Sequence, residues 1–202
     1  MRRVEQVSRS GETASRWLVV ALVAGLGVAA PLMAAASSVV PATLAELADE
    51  ARVIVYGRVA AVSPRWTTGR ERIESLVTVD ASGYFKGDLG PSVRIRVPGG
   101  TMGAHRTVVL GAPVLTIGQE VVMFLGTRGP SIPIILGLSQ GLFRIVVNRA
   151  TNQRVVMPTF APGPSVQPLV RGDIGRRLMP FREFGRRLRE LIADLPGEAV
   201  RR

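Results

Sequence analysis

Two side chains in this sequence carry the chemistry of a hydrolytic centre, Ser139 and His105. Ser139 sits in Gly137-Leu138-Ser139-Gln140-Gly141, which matches the G-x-S-x-G pattern of a nucleophile elbow. That pattern activates serine by placing it on a sharp strand-to-helix turn, with an acidic residue and then a histidine following in the chain. Here the next residues, Leu142-Phe143-Arg144-Ile145-Val146-Val147, have the β-branched character of a strand, and the only histidine, His105, precedes the serine. Both requirements fail, so the two glycines are expected to shape a turn between strands. A serine hydrolase centred on residues 137–141 and a membrane-tethered structural protein stand as the alternatives to a binding function.

The other groups that could do chemistry are weaker. Zinc sites draw on Cys and His, and this chain has no cysteine and one histidine. The carboxylate pairs Asp49-Glu50 and Glu71/Glu74 fall at a predicted helix end and in a polar connection, where solvated charge is the ordinary state. A glycosidase needs two carboxylates held across a cleft. Gly99-Gly100-Thr101-Met102-Gly103 is glycine-rich but lacks the Gly-Lys-Ser/Thr ending of a phosphate loop. No catalytic residue, metal or cofactor is therefore expected, and the chain reads as a non-enzyme.

The elements that would position any site begin after a leader. Arginines at 2, 3, 9 and 16 precede an uncharged apolar run from Trp17 to Ala36, the pattern of an export signal. Ala34-Ala35-Ala36 fits a small-x-small cleavage site, with the mature chain starting near Ser37; an uncleaved anchor over 17–36 is the alternative. The missing cysteine excludes a lipoprotein. Cleavage leaves about 166 residues of the 202, enough for one domain with its own core and no disulfides. An exported protein of a bacterial envelope, periplasmic or secreted, is the expected address.

The formal charge is +11, and removing the leader's charged residues leaves about +9. Of 26 basic residues only Lys86 is a lysine, which fits a genome biased toward arginine codons. Such a charge favours weak attraction to polyanions. Few aromatics remain to stack bases, so specific nucleic-acid binding is not expected.

Thr43 and Glu46 form a capping-box signature for a short helix carrying Leu44 and Leu47. Residues 52–62 then alternate, with Val53, Val55 and Val59 on one face and Ile54, Tyr56 and Val62 on the other, and Pro64 is expected to end the strand. From Ile73 a second long strand places Val77, Val79, Ala81 and Phe85 on one side, with Gly83 as a bend and Lys86-Gly87 as a turn. Ser92 to Val97 gives a third strand with Val93, Ile95 and Val97 in and Arg94 and Arg96 out. Gly99 to Glu120 is the longest irregular segment, strand-like only over Thr107 to Leu110. Val121 to Leu125 is apolar on both faces and needs cover on both. Residues 132–138, 142–147 and 154–157 supply up to three more short strands. Residues 158–179 form a proline-rich tether. From Pro180 a C-terminal amphipathic helix follows, with Phe181, Phe184, Leu188, Leu191, Ile192 and Leu195 on one face. That helix either docks on the domain or meets a partner or, like the N-terminal segment, a membrane surface.

The order Val53-Ile54-Val55-Tyr56-Gly57-Arg58-Val59, a second strand ending Tyr84-Phe85-Lys86-Gly87, and Val121-Val122-Met123-Phe124-Leu125 resembles the netrin-like/TIMP-like module over roughly residues 44–147. The resemblance implies an OB-type barrel used for protein and polyanion contacts. The tissue inhibitors of metalloproteinases engage zinc through an N-terminal cysteine, which this chain lacks.

The expected fold is all-β and mainly antiparallel: an OB-like closed or partly open barrel over 37–157, with a short N-terminal helix and a C-terminal amphipathic helix and tail over 180–202. The expected function is binding of a protein or polyanionic envelope partner through the Gly99 to Glu120 segment, with Arg94, Arg96, Met102, His105 and Arg106 as the candidate surface.

Overall fold

The computed structural model describes residues 42–127, 131–159 and 177–195, and the leader and most of the proline-rich tether lie outside the described residues. A short helix α1 (Leu44–Glu50) opens the domain. Thr43 caps it, its hydroxyl accepting the Glu46 N–H while Glu46 reaches back to the Thr43 N–H, as the capping box predicts.

Strands β1 (Val53–Trp66), β2 (Ile73–Lys86) and β3 (Ser92–Pro98) form an antiparallel meander. Two small strands, β4 (Gly100–Met102) and β5 (His105–Thr107), make a separate hairpin. Strand β6 (Glu120–Gly126) returns to pair antiparallel with the other edge of β1, Val53 opposite Leu125 and Arg58 opposite Glu120. Strand β7 (Ile134–Ile135) pairs antiparallel with β6 and parallel with β3, where the Arg96 N–H donates to Pro133 O at 2.9 Å. The ring β1-β2-β3-β7-β6 thus closes on itself as a five-strand, OB-like barrel. Strands β8 (Leu142–Asn148) and β9 (Gln153–Pro158) extend the sheet beyond β6, and Met179–Pro180, as β10, add to β9.

Period-two alternation decides what fills the barrel. Val53, Val55 and Val59 of β1, Val77 and Val79 of β2, and Val93, Ile95 and Val97 of β3 share one buried cluster with Val121, Met123 and Leu125. The opposite face of β6, Val122 and Phe124, joins Ile54, Leu44, Leu47 and Phe143 in a second cluster. The cover that β6 requires on its second face is supplied by α1, β8 and the C-terminal helix α2 (Phe181–Ala193), whose Phe184, Leu188 and Ile192 are buried there. The apolar face of α2 packs into this core, so the docked arrangement of the helix is the one the structure shows.

Other corrections have specific causes. β1 runs through Pro64 to Trp66, because beyond Arg58 its ladder is with β2 alone and proline is tolerated on such an edge. Ala60 of β1 and Ser82 and Phe85 of β2 are extra residues without ladder partners. Each such bulge reverses the in-out parity of the residues beyond it. Val62 therefore returns to the barrel side, and Phe85 moves to the helix side, where its ring lies 5.2 Å from Tyr56. The strand expected over 132–138 shrinks to two residues, because Gly137 and Leu138 both take positive φ, 56° and 61°. The tether ends earlier than expected, since Met179 is buried and paired with Val156. The segment 99–120 holds the β4-β5 hairpin, and Thr107 to Leu110 is not a strand beyond Thr107.

Candidate functional site

The segment after β3 is bound to the barrel by long-range polar contacts. Gly99 N–H donates to Ile73 O at 3.1 Å, Ser75 Oγ donates to Gly99 O at 2.8 Å, and the Ile73 N–H donates to Thr107 Oγ1 at 3.0 Å. Gly100, at φ 152°, allows this approach; a Cβ there would stand 2.8 Å from Ser75 Oγ. After the hairpin the chain has no regular structure until β6. It is nonetheless anchored, with Ser139 N–H donating to Gly111 O at 3.0 Å and Gly118 N–H to Val59 O at 2.8 Å.

This strap divides its apolar residues, with Val109 half-buried in between. Leu115 is 7% exposed and belongs to the barrel cluster, whereas Val108, Leu110, Val114 and Ile117 are 68%, 89%, 76% and 69% exposed. Leu138, on the turn beside Gly111, is 37% exposed. Aliphatic exposure concentrated on one segment marks interaction surfaces more often than scattered single residues do.

Arginines border the strap. The Arg144 guanidinium donates through Nη2 to Val114 O at 3.3 Å, and its buried Nε has no partner among the described residues. Arg58 and Arg154 both pair with Glu120, at 2.9 Å and 3.0 Å, and share with Val114 and Arg144 a shallow depression of about 670 Å³. Arg106, exposed on β5, shares another depression with Val108 and Val114.

A cleft of about 420 Å³ lies between the barrel and the strap, lined in part by Arg72, Ile73, Arg96, Val109, Ile134 and Leu138. Glu74 closes its polar end. That carboxylate, 12% exposed, accepts from Arg65 Nε at 2.8 Å and Nη2 at 2.7 Å, with Arg96 Nε at 3.7 Å. Glu74 is thus a paired side chain on a strand, not the solvated loop residue that the sequence suggested.

The five residues of the predicted surface are only partly brought together. Met102 and His105 oppose each other in the hairpin, next to the Thr101 and Arg106 pair. His105 stacks edge-on against Trp66, centroids 5.4 Å apart. Arg96 lines the cleft, while Arg94, opposite Thr78, does not. Sequence reasoning missed the exposed aliphatics, whose signal was an apolar run, Val108 to Ile117, without a strand's alternation.

The serine motif lacks the geometry of an elbow. Ser139 follows the left-handed Gly137 and Leu138 and precedes a strand, and its carbonyl accepts from Thr159 Oγ1 at 3.0 Å. No hydrogen bond joins Ser139 to His105, whose ring contact is with Trp66. Among the described residues no group of three His, Asp or Glu side chains could hold a metal ion, and no helix is long and apolar enough to cross a membrane. Comparison with protein-family models, with curated proteins and with solved structures gave no match.

Proposed function

We propose that this chain is an exported, non-catalytic binding module of a bacterial envelope or secretome, whose contact face is the strap between β3 and β6. The observation that carries this reading is the division within one short segment: Leu115 is driven into the barrel while Val108, Leu110, Val114 and Ile117 are held outward. A loop that only closed a barrel would gain by burying more of these side chains or by replacing them with polar ones. Burial of such residues against a partner is the use that offsets their exposure. The same reading takes the domain as a netrin-like/TIMP-like barrel without cysteines; the strand order and the Lys86-Gly87 end of β2 support it, and they bear on fold alone.

The absence of cysteine permits a direct test. Leu110→Cys, carrying a photoreactive group, is expected to crosslink to an envelope component in the producing cell, and the same group on Glu183→Cys, exposed on α2, is not. Equal labelling from both positions, or none from position 110, would overturn the reading. Sequencing the N-terminus of the extracted protein tests export, with a start near Ser37 expected.

A further inference from the structure

We infer that the strap is a lipid-facing surface: Val108, Leu110, Val114 and Ile117 enter the interface of an anionic membrane while Arg106 and Arg144 meet its phosphates. This rests on the binding-module reading and names the partner of that same face. The charge around the aliphatics selects the occupant. Arg58, Arg106, Arg144 and Arg154 border the strap, Glu120 is the carboxylate paired among them, and Arg106 and Arg144 form no ion pair with any described residue. A second copy meeting this face through a two-fold axis would bring like-charged arginine rims together. An anionic surface is attracted by the same rim.

The side chains themselves favour lipid over protein. Energetic centres of protein interfaces are rich in Trp, Tyr and Arg and poor in Leu and Val. Here the four most exposed large apolar side chains among the described residues are all aliphatic; Val108 and Val114 rim the depressions beside the arginines, and Leu110 and Ile117 stand outside them. Exposed aliphatic groups with cations at their margin match the layered chemistry of a bilayer surface, hydrocarbon beneath and phosphate around. The apolar face of the C-terminal helix is buried in the domain, so it offers a bilayer less hydrocarbon than the strap does.

The apolar run at 17–36 could carry the full chain to vesicles by itself, so the test must report on the strap. The full chain with Leu110→Cys, labelled with an environment-sensitive nitrobenzoxadiazole dye, is mixed with phosphatidylcholine vesicles with and without phosphatidylglycerol. Blue-shifted emission and protection from aqueous iodide are expected only with phosphatidylglycerol, and a dye on Glu183→Cys stays in water. Arg106→Gln in the labelled chain should weaken the response about fivefold, the effect of one cation near an anionic surface. Ile117→Asp should weaken it by about tenfold or more, through the loss of a buried aliphatic group. The inference falls if the dye at 110 stays aqueous on vesicles that bind the chain, or if it is shielded without lipid as protein concentration rises. It also falls if photocrosslinks from position 110 reach a protein and no lipid, an outcome that leaves the binding-module reading standing.

Discussion

Lys86 Nζ lies 2.9 Å from the carbonyl oxygen of Ala48 and 3.3 Å from that of Asp49. The chain's only lysine, at the end of β2, thereby caps the C-terminal carbonyls of α1, which has no basic residue in its own last turn. A cation at that end satisfies orphan acceptors and opposes the negative pole of the helix. Lys86→Met keeps the aliphatic stem and removes the charge, so it should cost about 1 kcal/mol. Urea unfolding should show a lower midpoint with an unchanged slope; an unmoved midpoint would show the contact to be idle.

Two glycines in the long hairpin have different obstacles. A Cβ at Gly57 would strike the backbone at Asp80, and one at Gly83 would strike the Tyr56 ring. Tyr56 cannot swing away freely, because Phe85 and Phe181 stand 5.2 Å and 5.3 Å from it. Either glycine replaced by alanine should cost about 1–3 kcal/mol through overpacking. In a Tyr56→Ala background the cost of Gly83→Ala should largely vanish, whereas that of Gly57→Ala should persist. A double-mutant cycle measures the difference, and equal rescue at both sites would contradict the geometry.

Those same positions show where the sequence is readable. Val53, Val55, Val59, Val93, Ile95 and Val97 alternate without interruption, so their burial follows from period two. Ala60, Ser82 and Phe85 break the ladder by one residue each; Gly83 marks the bend between the two in β2, but nothing in the sequence says which residue is inserted, so strict alternation puts Val62 and Phe85 on the wrong faces. The β4-β5 hairpin is illegible because Gly99, Ser75 and Thr107 hold it by contacts distant in sequence, not by its own apolar pattern. Arg96 and Arg106 are legible as exposed cations, but their neighbours Glu74 and Val114 depend on the closed barrel. The exposed strap escapes a sequence reading because apolarity argues for burial, and here only Leu115 obeys.

Leu115 and Leu110 should therefore separate stability from binding. Leu115→Ala opens a cavity in the barrel cluster and should cost about 2–5 kcal/mol. Leu110→Asp alters a side chain in water and should change stability by no more than about 0.5 kcal/mol, while abolishing the contact made by the strap. Thermal melts of the two variants, set beside crosslinking from a label on Ile117→Cys, give the comparison. A destabilised Leu110→Asp that still crosslinks would reverse the assigned roles.

The capping box gives the fold a pH dependence with a definite sign. The Glu46 carboxylate accepts from the Thr43 N–H at 2.6 Å and from its hydroxyl at 2.9 Å, and these bonds, the backbone one foremost, hold its pKa below 4.5. Because the folded value is the lower one, folding favours the ionised form. The contribution is complete above the ordinary carboxylate range and is lost as pH falls through the lowered folded value. The stability gap between the natural chain and Glu46→Ala should thus hold constant at neutral pH and close as pH falls through the carboxylate range toward the lowered folded value. Thr43→Ala removes the hydroxyl contact and one cap, so its gap should narrow over the same acid range. Urea unfolding of both variants against pH measures this, and a gap that stayed flat into strong acid would mean that the ionised carboxylate contributes nothing to the cap.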